Sequence, residues 1–298
     1  MIRLGLCCIF KKAPIKFRTT TVTYCKRIEN PRNHLSQIVL DNSEALEQAI
    51  TYCYNHNIGA FRINSRFLPV CTHPDLLYTI EDLPQRDLIF EKLEKCQKTA
   101  KEWDVRLTMH PDQFVVLNSP REDVVEKSIQ ELEYHGRFCE LVGADVINIH
   151  GGGAYGNKDF ALKQLEAGIK RLSKRVQTRL TLENDDRVYT PEELLPVCKK
   201  LKVPLVYDVH HHRCLSDSLS IAQATEEAIS TWNREPLFHI SSPLEGWKSK
   251  KPHLHHDYID IKDFPDEWRN IDSLTIDVEA KAKELAVEKL YQQLTRHA

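Results

Sequence analysis

The sequence of 298 residues has little glycine and no marked excess of one charge. It contains only 10 glycines, and its 41 Lys and Arg residues face 43 Asp and Glu residues, which leaves a formal charge of -2. This balance excludes a protein that holds polyanions through overall charge, although a local basic strip can still bind nucleic acid. No Gly-x-Gly-x-x-Gly or Walker sequence occurs, so no nucleotide cofactor is expected.

Long hydrophobic runs and paired-cysteine motifs are also missing. No apolar run approaches the ~20 residues of a membrane span. The short run before Lys11-Lys12 imitates a signal peptide but has no small-residue cleavage site after it. None of the nine cysteines has a Cys-x-x-Cys spacing, and most sit singly among apolar residues, which predicts reduced, buried thiols. We therefore expect a protein that has no membrane partner and lies in the cytoplasm or, in a eukaryote, in the nucleus. We also expect a monomer.

Eight short apolar segments rich in β-branched residues recur along the chain. They cover residues 3–9, 58–64, 105–110, 145–150, 179–183, 204–210, 237–241 and 273–279. Stretches with helical period separate most of them, most clearly 121–142 and 43–56. Eight alternating strands and helices over about 300 residues are typical of a (β/α)8 TIM barrel, and we predict one such domain over residues 1–298. A doubly wound open sheet is the alternative, because alternation alone does not close a barrel.

Two of the predicted helices have clear start signals. Ser119-Pro120-Arg121-Glu122 offers a serine cap, a proline at the first helical position and a glutamate three residues after the cap. Thr190-Pro191-Glu192-Glu193 repeats the same pattern before the next helix. Both sequences therefore predict a capping box.

Two long basic segments, 10–42 and 242–272, follow the first and seventh predicted strands. Long loops in a compact domain are usually functional, although a charge run alone is equally compatible with a solvated face. Both segments follow barrel strands and so lie on the active face, which favours a phosphate-binding rim. The residues predicted to bind DNA there are Arg18, Lys248, Lys250 and Lys251.

Ionisable residues gather at the carboxyl ends of the predicted strands. They are His110, His150, Glu183, Asp208, His211, His239 and Glu279. Any one of them alone is more simply read as a structural residue, but in a barrel these ends meet on one face. Four histidines and three carboxylates there predict nitrogen and oxygen ligands for two or three ions of manganese, zinc or iron, with Glu183 bridging a pair. The ions would also supply the countercharge that clustered carboxylates need.

Other histidines are placed by their context. Strand alternation turns the neighbours in His210-His211-His212 to opposite sides, so one or two of them point inward. Asp208 and His211, three apart around a strand-to-loop bend, are the preferred pair, and His212 is predicted to lie behind the ligands. His73 and His255 lie in loops and can complete the set. Four histidines have no such context and are predicted to be surface or helix residues: His34, His56, His135 and His297.

Clustered divalent ions suit in-line attack on a phosphodiester, and the basic loops favour a polyanionic substrate. The residues alone therefore predict a multi-metal phosphodiesterase first. A metal-dependent sugar isomerase or epimerase, which uses the same kind of centre, is the second hypothesis, and a non-catalytic binding protein is a distant third.

A series of motifs runs in order from the first strand to about Glu284. They are Ile2-Arg3-Leu4-Gly5, Gly59-Ala60-Phe61-Arg62-Ile63-Asn64, Leu68-Pro69, Thr72-His73-Pro74, Met109-His110-Pro111-Asp112-Gln113-Phe114, His150-Gly151-Gly152-Gly153-Ala154-Tyr155-Gly156, Leu182-Glu183-Asn184-Asp185, Asp208-Val209-His210-His211, His255-His256-Asp257-Tyr258 and Val278-Glu279-Ala280-Lys281. Each is moderately specific, and the ordered set is highly specific. Together they resemble the UV damage endonuclease family, relatives of endonuclease IV in the xylose-isomerase-like barrel superfamily.

The resemblance implies a repair enzyme that cuts damaged double-stranded DNA immediately 5′ to a lesion and leaves a 3′-hydroxyl and a 5′-phosphate. The implied lesions are cyclobutane pyrimidine dimers, 6-4 photoproducts and abasic sites, and the implied metal is manganese. The resemblance adds His255 to the seven strand-end ligands, gives Glu183 and Glu279 catalytic roles, and puts His73 close to the metals as a catalytic candidate.

By the same resemblance, Gln113 and Phe114 fill the space that extruded nucleotides leave, through an amide that bonds base edges and a ring that stacks on them. The alternative for Phe114 is a small core cluster with Val115 and Val116. The chain departs from the family at four positions, which bear on the range of lesions and on the metal surroundings. They are Leu6 for a tyrosine, Phe10 for an asparagine, Phe114 where tyrosine is common, and Leu237 where some members have a lysine.

Overall fold

A closed barrel of eight parallel strands forms the centre of the computed structural model, which describes residues 2–296. Each strand pairs with its neighbours in the chain, and β8 closes the barrel on β1. The strands are β1 (Ile2–Cys7), β2 (Ala60–Ile63), β3 (Arg106–Met109), β4 (Val146–His150), β5 (Leu180–Glu183), β6 (Leu205–Asp208), β7 (Leu237–Ile240) and β8 (Leu274–Val278). The closure confirms the predicted TIM barrel and excludes the open sheet, whose edge strands would lack partners.

Helices surround the barrel. They are α1 (Val22–Cys25), α2 (Pro31–Asn55), α3 (Arg86–Glu102), α4 (Glu122–Val142), α5 (Lys158–Arg171), α6 (Lys174–Gln177), α7 (Pro191–Leu201), α8 (Val209–Cys214), α9 (Ile221–Ser230) and α10 (Glu284–Thr295), with 3-10 turns at Ile80–Asp82, Ile261–Asp263 and Asp266–Asn270. No helix within residues 2–296 is long and apolar enough to cross a bilayer.

Strand alternation separates the core from the barrel interior. Leu4 and Leu6 of β1 are buried in the main hydrophobic core, whereas Gly5 between them faces the interior, close to Asp277. Thr181 and Asn148, also inside the barrel, are joined by a 2.9 Å hydrogen bond. The strand faces that pack on the helices are therefore apolar, whereas the interior carries polar side chains near the carboxyl ends of the strands, above a small apolar cluster of Val146, Val206 and Leu237.

One of the two predicted capping boxes is present. Thr190 Oγ1 accepts from the Glu193 backbone N–H, and the Glu193 carboxylate accepts from the Thr190 N–H, at the start of α7. The predicted serine cap of α4 is wrong, because Ser119 Oγ accepts from the Arg121 N–H in a turn that precedes the helix.

Two segment predictions also need correction. The loop predicted over 10–42 is shorter, because α2 begins at Pro31, and the polar residues of its first turn hide the helical period. The sixth strand ends at Asp208 rather than at residue 210, and α8 follows at once because the Asp208 carboxylate caps its first turn.

All nine cysteines are unpaired and seven are buried, as predicted. Burial raises the pKa of the Cys96 thiol to about 12.

Candidate metal centre and DNA-binding face

The barrel brings the predicted ligands to one place. His150, Glu183 and Asp208 are the last residues of β4, β5 and β6, His239 lies in β7, and His110 follows β3 directly. The strands are parallel and adjacent, so these side chains converge at the carboxyl face.

Glu183 lies at the centre of the cluster and is 1% exposed. Its Oε2 is 2.9 Å from His110 Nε2, and its Oε1 is 3.1 Å from His239 Nδ1 and 3.4 Å from His211 Nδ1. Two groups of potential ligands, each with its donor atoms within 4.8 Å of one another, share this residue. One group contains His110 and His150, and the other contains Asp208 and His239. Glu183 is therefore the one residue that could contribute a ligand atom to each of the two groups.

Neighbouring groups orient the ligand atoms. Pro111 O lies 3.0 Å from His110 Nδ1, so a proton on Nδ1 leaves the Nε2 lone pair directed at the centre. Asp208 is held by Asn184 through two hydrogen bonds of 2.9 and 3.0 Å. Its Oδ1 accepts from the His211 N–H at 2.8 Å, which fixes the predicted pair together.

Glu279 and His255 complete the set. Glu279 follows β8, with Oε1 3.4 Å from His239 Nδ1 and Oε2 3.9 Å from His255 Nδ1. Arg62 of β2 donates to Glu279 Oε1 at 2.6 Å. All eight predicted ligands therefore belong to one connected cluster, and the Arg62 guanidinium lies against its edge.

The residues fit divalent ions. His150 Nδ1 and Asp208 Oδ2 are buried without a hydrogen-bond partner among the described residues, which is rare for such atoms. Three carboxylates and five histidines in one buried cluster form a donor set typical of zinc or manganese. A metal ion would satisfy the free donor atoms and the excess negative charge together.

The charge distribution agrees with this fit. Burial raises the pKa of the Glu183 carboxyl, but the nearby His239 and His150 more than reverse the effect, and it lies well below its usual range. Burial lowers the pKa of His239, yet Glu183 and Glu279 raise it to about 9. Without metal, His239 is therefore protonated at neutral pH, and an ion that binds its Nδ1 must displace a proton.

Two histidines lie apart from the cluster. His73 is 41% exposed at the side chain, and its Nδ1 accepts from the Asp75 N–H at 3.2 Å. The prediction that His212 lies behind the ligands is wrong, because residues 209–214 form a helix that turns it away. Its two ring nitrogens bond Tyr207 Oη at 2.7 Å and Asp217 at 2.9 Å.

The histidines without a predicted role lie as expected. His34 and His135 are on α2 and α4, and His56 is an exposed residue directly after α2. His297 lies outside the described residues.

Sequence reasoning missed several polar residues around the centre. Asn148 donates to Glu183 Oε2, Arg62 reaches Glu279, and Asp277 lies 3.8 Å from His239 Nε2. Each lies two positions before a strand end or within a short strand, where it looks like an ordinary strand residue. Strand alternation is the sequence signal that could have found them, because residues two apart in a strand point to the same side of the sheet.

The loop after β3 presents Gln113 and Phe114 to solvent on the same face. Phe114 is 76% exposed, while the adjacent Val115 is buried. Phe114 is therefore not part of a core cluster with Val115. An exposed aromatic ring at this position is available for stacking.

The basic residues predicted to bind DNA differ in whether a nearby carboxylate pairs with them. Lys248, Lys250 and Lys251 are exposed, and within residues 2–296 none has a carboxylate within 4.0 Å. Arg18 instead forms an ion pair with Asp41 on α2. Of the four basic residues predicted to bind DNA, the three without an ion-pair partner among residues 2–296 thus all lie in the loop after β7.

That loop is anchored at its base. Asp263 accepts from Ser242 Oγ at 2.5 Å and from Trp247 Nε1 at 2.8 Å, and the Trp247 ring lies 5.1 Å from the His210 ring. The lysines that follow Trp247 are therefore carried by a fixed segment that also contains His255.

The departures near β1 and β7 have different surroundings. Leu6 is fully buried in the main core, so it cannot touch DNA. Phe10 packs against Tyr52 and Phe61, with ring centroids 5.2 and 5.8 Å apart. Leu237 is buried with Val146 and Val206 in a small separate cluster.

The fold and the cluster define a TIM-barrel protein with a candidate multi-metal centre at the carboxyl face of its strands. A solved structure of endonuclease IV from Thermus thermophilus shares the fold with a TM-score of 0.64 at 14% identity, covering 99% of this chain and 100% of that one. So does the 3-keto-D-glucoside 4-epimerase YcjR from E. coli, with a TM-score of 0.61 at 13% identity over 99% and 100%. The barrel alone thus does not distinguish a nuclease from an epimerase.

The chain belongs to the UV-endonuclease UvdE family, whose model matches residues 2–298. The UV DNA damage endonuclease of Bacillus cereus (strain G9842) is 31% identical over 291 residues, 93% of this chain and 89% of that protein. The crystal structure of SacUVDE has a TM-score of 0.89 at 27% identity, covering 100% of this chain and 99% of the other. Family membership confirms the resemblance that the ordered motifs predicted.

Proposed function

We propose that this protein is a metal-dependent endonuclease that cuts duplex DNA immediately 5′ to UV lesions. The observation that carries the proposal is Glu183, which two ligand groups share on the same face as an exposed Phe114 and three unpaired lysines. The proposed products are a 3′-hydroxyl and a 5′-phosphate. The proposed lesions are cyclobutane pyrimidine dimers, 6-4 photoproducts and abasic sites.

The proposed metal is manganese, with two or three ions, and zinc or another divalent ion fits the same donors. His110, His150 and Glu183 would hold one ion, and Glu183, Asp208 and His239 another, with His211, His255 and Glu279 nearby. When bound, such ions generate hydroxide at neutral pH and stabilise the attacking and leaving oxygens of an in-line displacement.

The protein's own residues position the substrate. The Lys248, Lys250 and Lys251 side chains neutralise backbone phosphates and so hold the duplex over the centre. The Phe114 ring stacks on bases that the extruded lesion leaves unpaired, and the Gln113 amide bonds their edges. A distorted lesion lowers the cost of extrusion, so damaged sites are favoured over intact duplex.

Changing Lys248, Lys250 and Lys251 together to alanine is expected to weaken DNA binding and to flatten its salt dependence. Three neutralised phosphates correspond to a decrease of about 2 to 3 in the slope of log K against log salt. Fluorescence anisotropy with an irradiated duplex, at several salt concentrations, measures this slope.

The matched control changes Lys101, Lys170 and Lys202, which are exposed and likewise have no carboxylate within 4.0 Å among residues 2–296. They lie at the ends of α3, α5 and α7, in the chain before β3, β5 and β6, and so at the opposite end of the barrel. The control variant should keep the wild-type slope. An unchanged slope in the variant without Lys248, Lys250 and Lys251 would indicate that these lysines are an ordinary solvated surface that does not neutralise DNA phosphates.

A further inference from the structure

A buried carboxylate without a hydrogen bond lies beneath the candidate metal centre. Asp277 of β8 is 0% exposed, and neither of its carboxylate oxygens has a hydrogen-bond partner among residues 2–296. His239 Nε2 is also buried without a hydrogen-bond partner, and it lies 3.8 Å from Asp277 Oδ2. Two unpartnered groups of complementary type therefore face each other inside the barrel.

The His239 ring spans the space between Asp277 and the ligand cluster. Its Nδ1 faces Glu183 at 3.1 Å and Glu279 at 3.4 Å, while its Nε2 points away from them toward Asp277. Only one of the two nitrogens is thus directed at the centre. The other nitrogen is available to fix the orientation of the ring.

Gly5 of β1 makes room for this arrangement. A Cβ atom at Gly5 would collide with the Asp277 carboxylate. Strand β1 pairs with β8 so that Gly5 lies opposite Asp277. The absence of a side chain at Gly5 is what lets a carboxylate occupy this interior position.

We propose that Asp277 is a positioning residue, which accepts a hydrogen bond from His239 Nε2–H and thereby keeps the Nδ1 lone pair free for a metal ion. The inference rests on the proposed metal centre. Histidine ligands generally donate their second N–H to a carboxylate or carbonyl, and this partner fixes both tautomer and ring orientation. The 3.8 Å separation exceeds a hydrogen bond, and a shift of about 1 Å in either side chain closes it.

Because Arg62 already supplies positive charge near Asp277, we do not expect a further cation to bind there. Its guanidinium lies 3.9 Å from Asp277 Oδ2 and donates to Glu279 Oε1 at 2.6 Å. Positive charge is therefore already present between the two carboxylates. Packing alone does not account for Asp277 either, because a buried carboxylate without hydrogen bonds costs stability that an apolar side chain would not.

Asp277→Leu and Asp277→Asn test the proposal through zinc affinity, measured without DNA by competition with a chromophoric chelator. Loss of such a partner typically weakens metal binding 10- to 100-fold, and we expect about this loss for one ion in Asp277→Leu. The asparagine variant should lose less, since its amide oxygen can still accept from Nε2–H. Thr108→Val is the control, because Thr108 Oγ1 is equally buried and unpartnered.

A second measurement separates positioning from general damage. In zinc-loaded protein with 15N-labelled histidine, His239 should carry its proton on Nε2, and the hydrogen bond to Asp277 should slow exchange of this proton with water. Asp277→Leu should speed the exchange, while Thr108→Val leaves it unchanged. Wild-type zinc affinity with an unchanged His239 signal in both Asp277 variants would overturn the proposal. If Asp277→Leu does not fold, Asp277→Asn decides by the same criteria. If the wild type binds neither zinc nor manganese, the metal centre itself is wrong and the inference falls with it, whatever the nuclease assay gives.

Discussion

Glu183→Gln should lower the turnover of irradiated DNA by about a thousandfold or more, since bound ions supply several kcal/mol of transition-state stabilisation. Glutamine keeps the size of the side chain but removes the charge and one of the two oxygens. The two ligand groups share only this residue, so both lose a donor at once. Single-turnover cleavage at saturating enzyme measures the chemical step, and circular dichroism verifies the fold.

Glu235→Gln is the matched control. Glu235 is a glutamate that is less buried than Glu183 and forms an ion pair with Arg3, but it precedes β7 and lies at the opposite end of the barrel. This variant can lose stability but should retain the wild-type cleavage rate. Near-normal activity in Glu183→Gln would contradict the assignment of the centre.

Phe114→Ala should remove most of the preference for damaged over undamaged duplex. Base–aromatic stacking is worth about 1–3 kcal/mol per base, which corresponds to roughly a 10- to 100-fold loss of affinity for the lesion. Because the ring is 76% exposed, its removal leaves no cavity and should not alter the melting temperature. Binding of matched irradiated and unirradiated duplexes measures the ratio of affinities.

Two variants control this measurement. Phe114→Tyr keeps an aromatic plane and should keep the preference. Tyr54→Ala removes another exposed aromatic side chain, at the end of α2 just before β2 and so at the opposite end of the barrel, and it should also keep the preference. Equal preference in Phe114→Ala and wild type would rule out stacking by this ring.

The fold and the position of the centre could be predicted from the sequence because both follow from strand ends. A short apolar strand that ends in His or Glu, as at His150 and Glu183, gives a strong local signal, and barrel closure gathers these ends on one face. His255 lies in a loop, and only the family resemblance pointed to it.

Other features depend on tertiary contacts. Arg18 was counted as a free cation, but it pairs with Asp41 across the turn that leads into α2. The helical turn after Asp208 directs His212 toward Tyr207 and Asp217 instead of the ligands, which strand alternation could not foresee. Asp277 looked like a strand residue because its partner, His239, lies on another strand at 3.8 Å.

Nicking of supercoiled plasmid tests the central claim most directly. Irradiated and unirradiated plasmid are incubated with manganese-loaded protein, with and without a chelator, and the relaxed form is quantified. We expect nicking of the irradiated plasmid only, abolished by the chelator and restored by added manganese. Equal or absent nicking of the two plasmids by fully metallated protein would contradict the proposed function, and turnover of an aldose or ketose instead would favour the isomerase hypothesis.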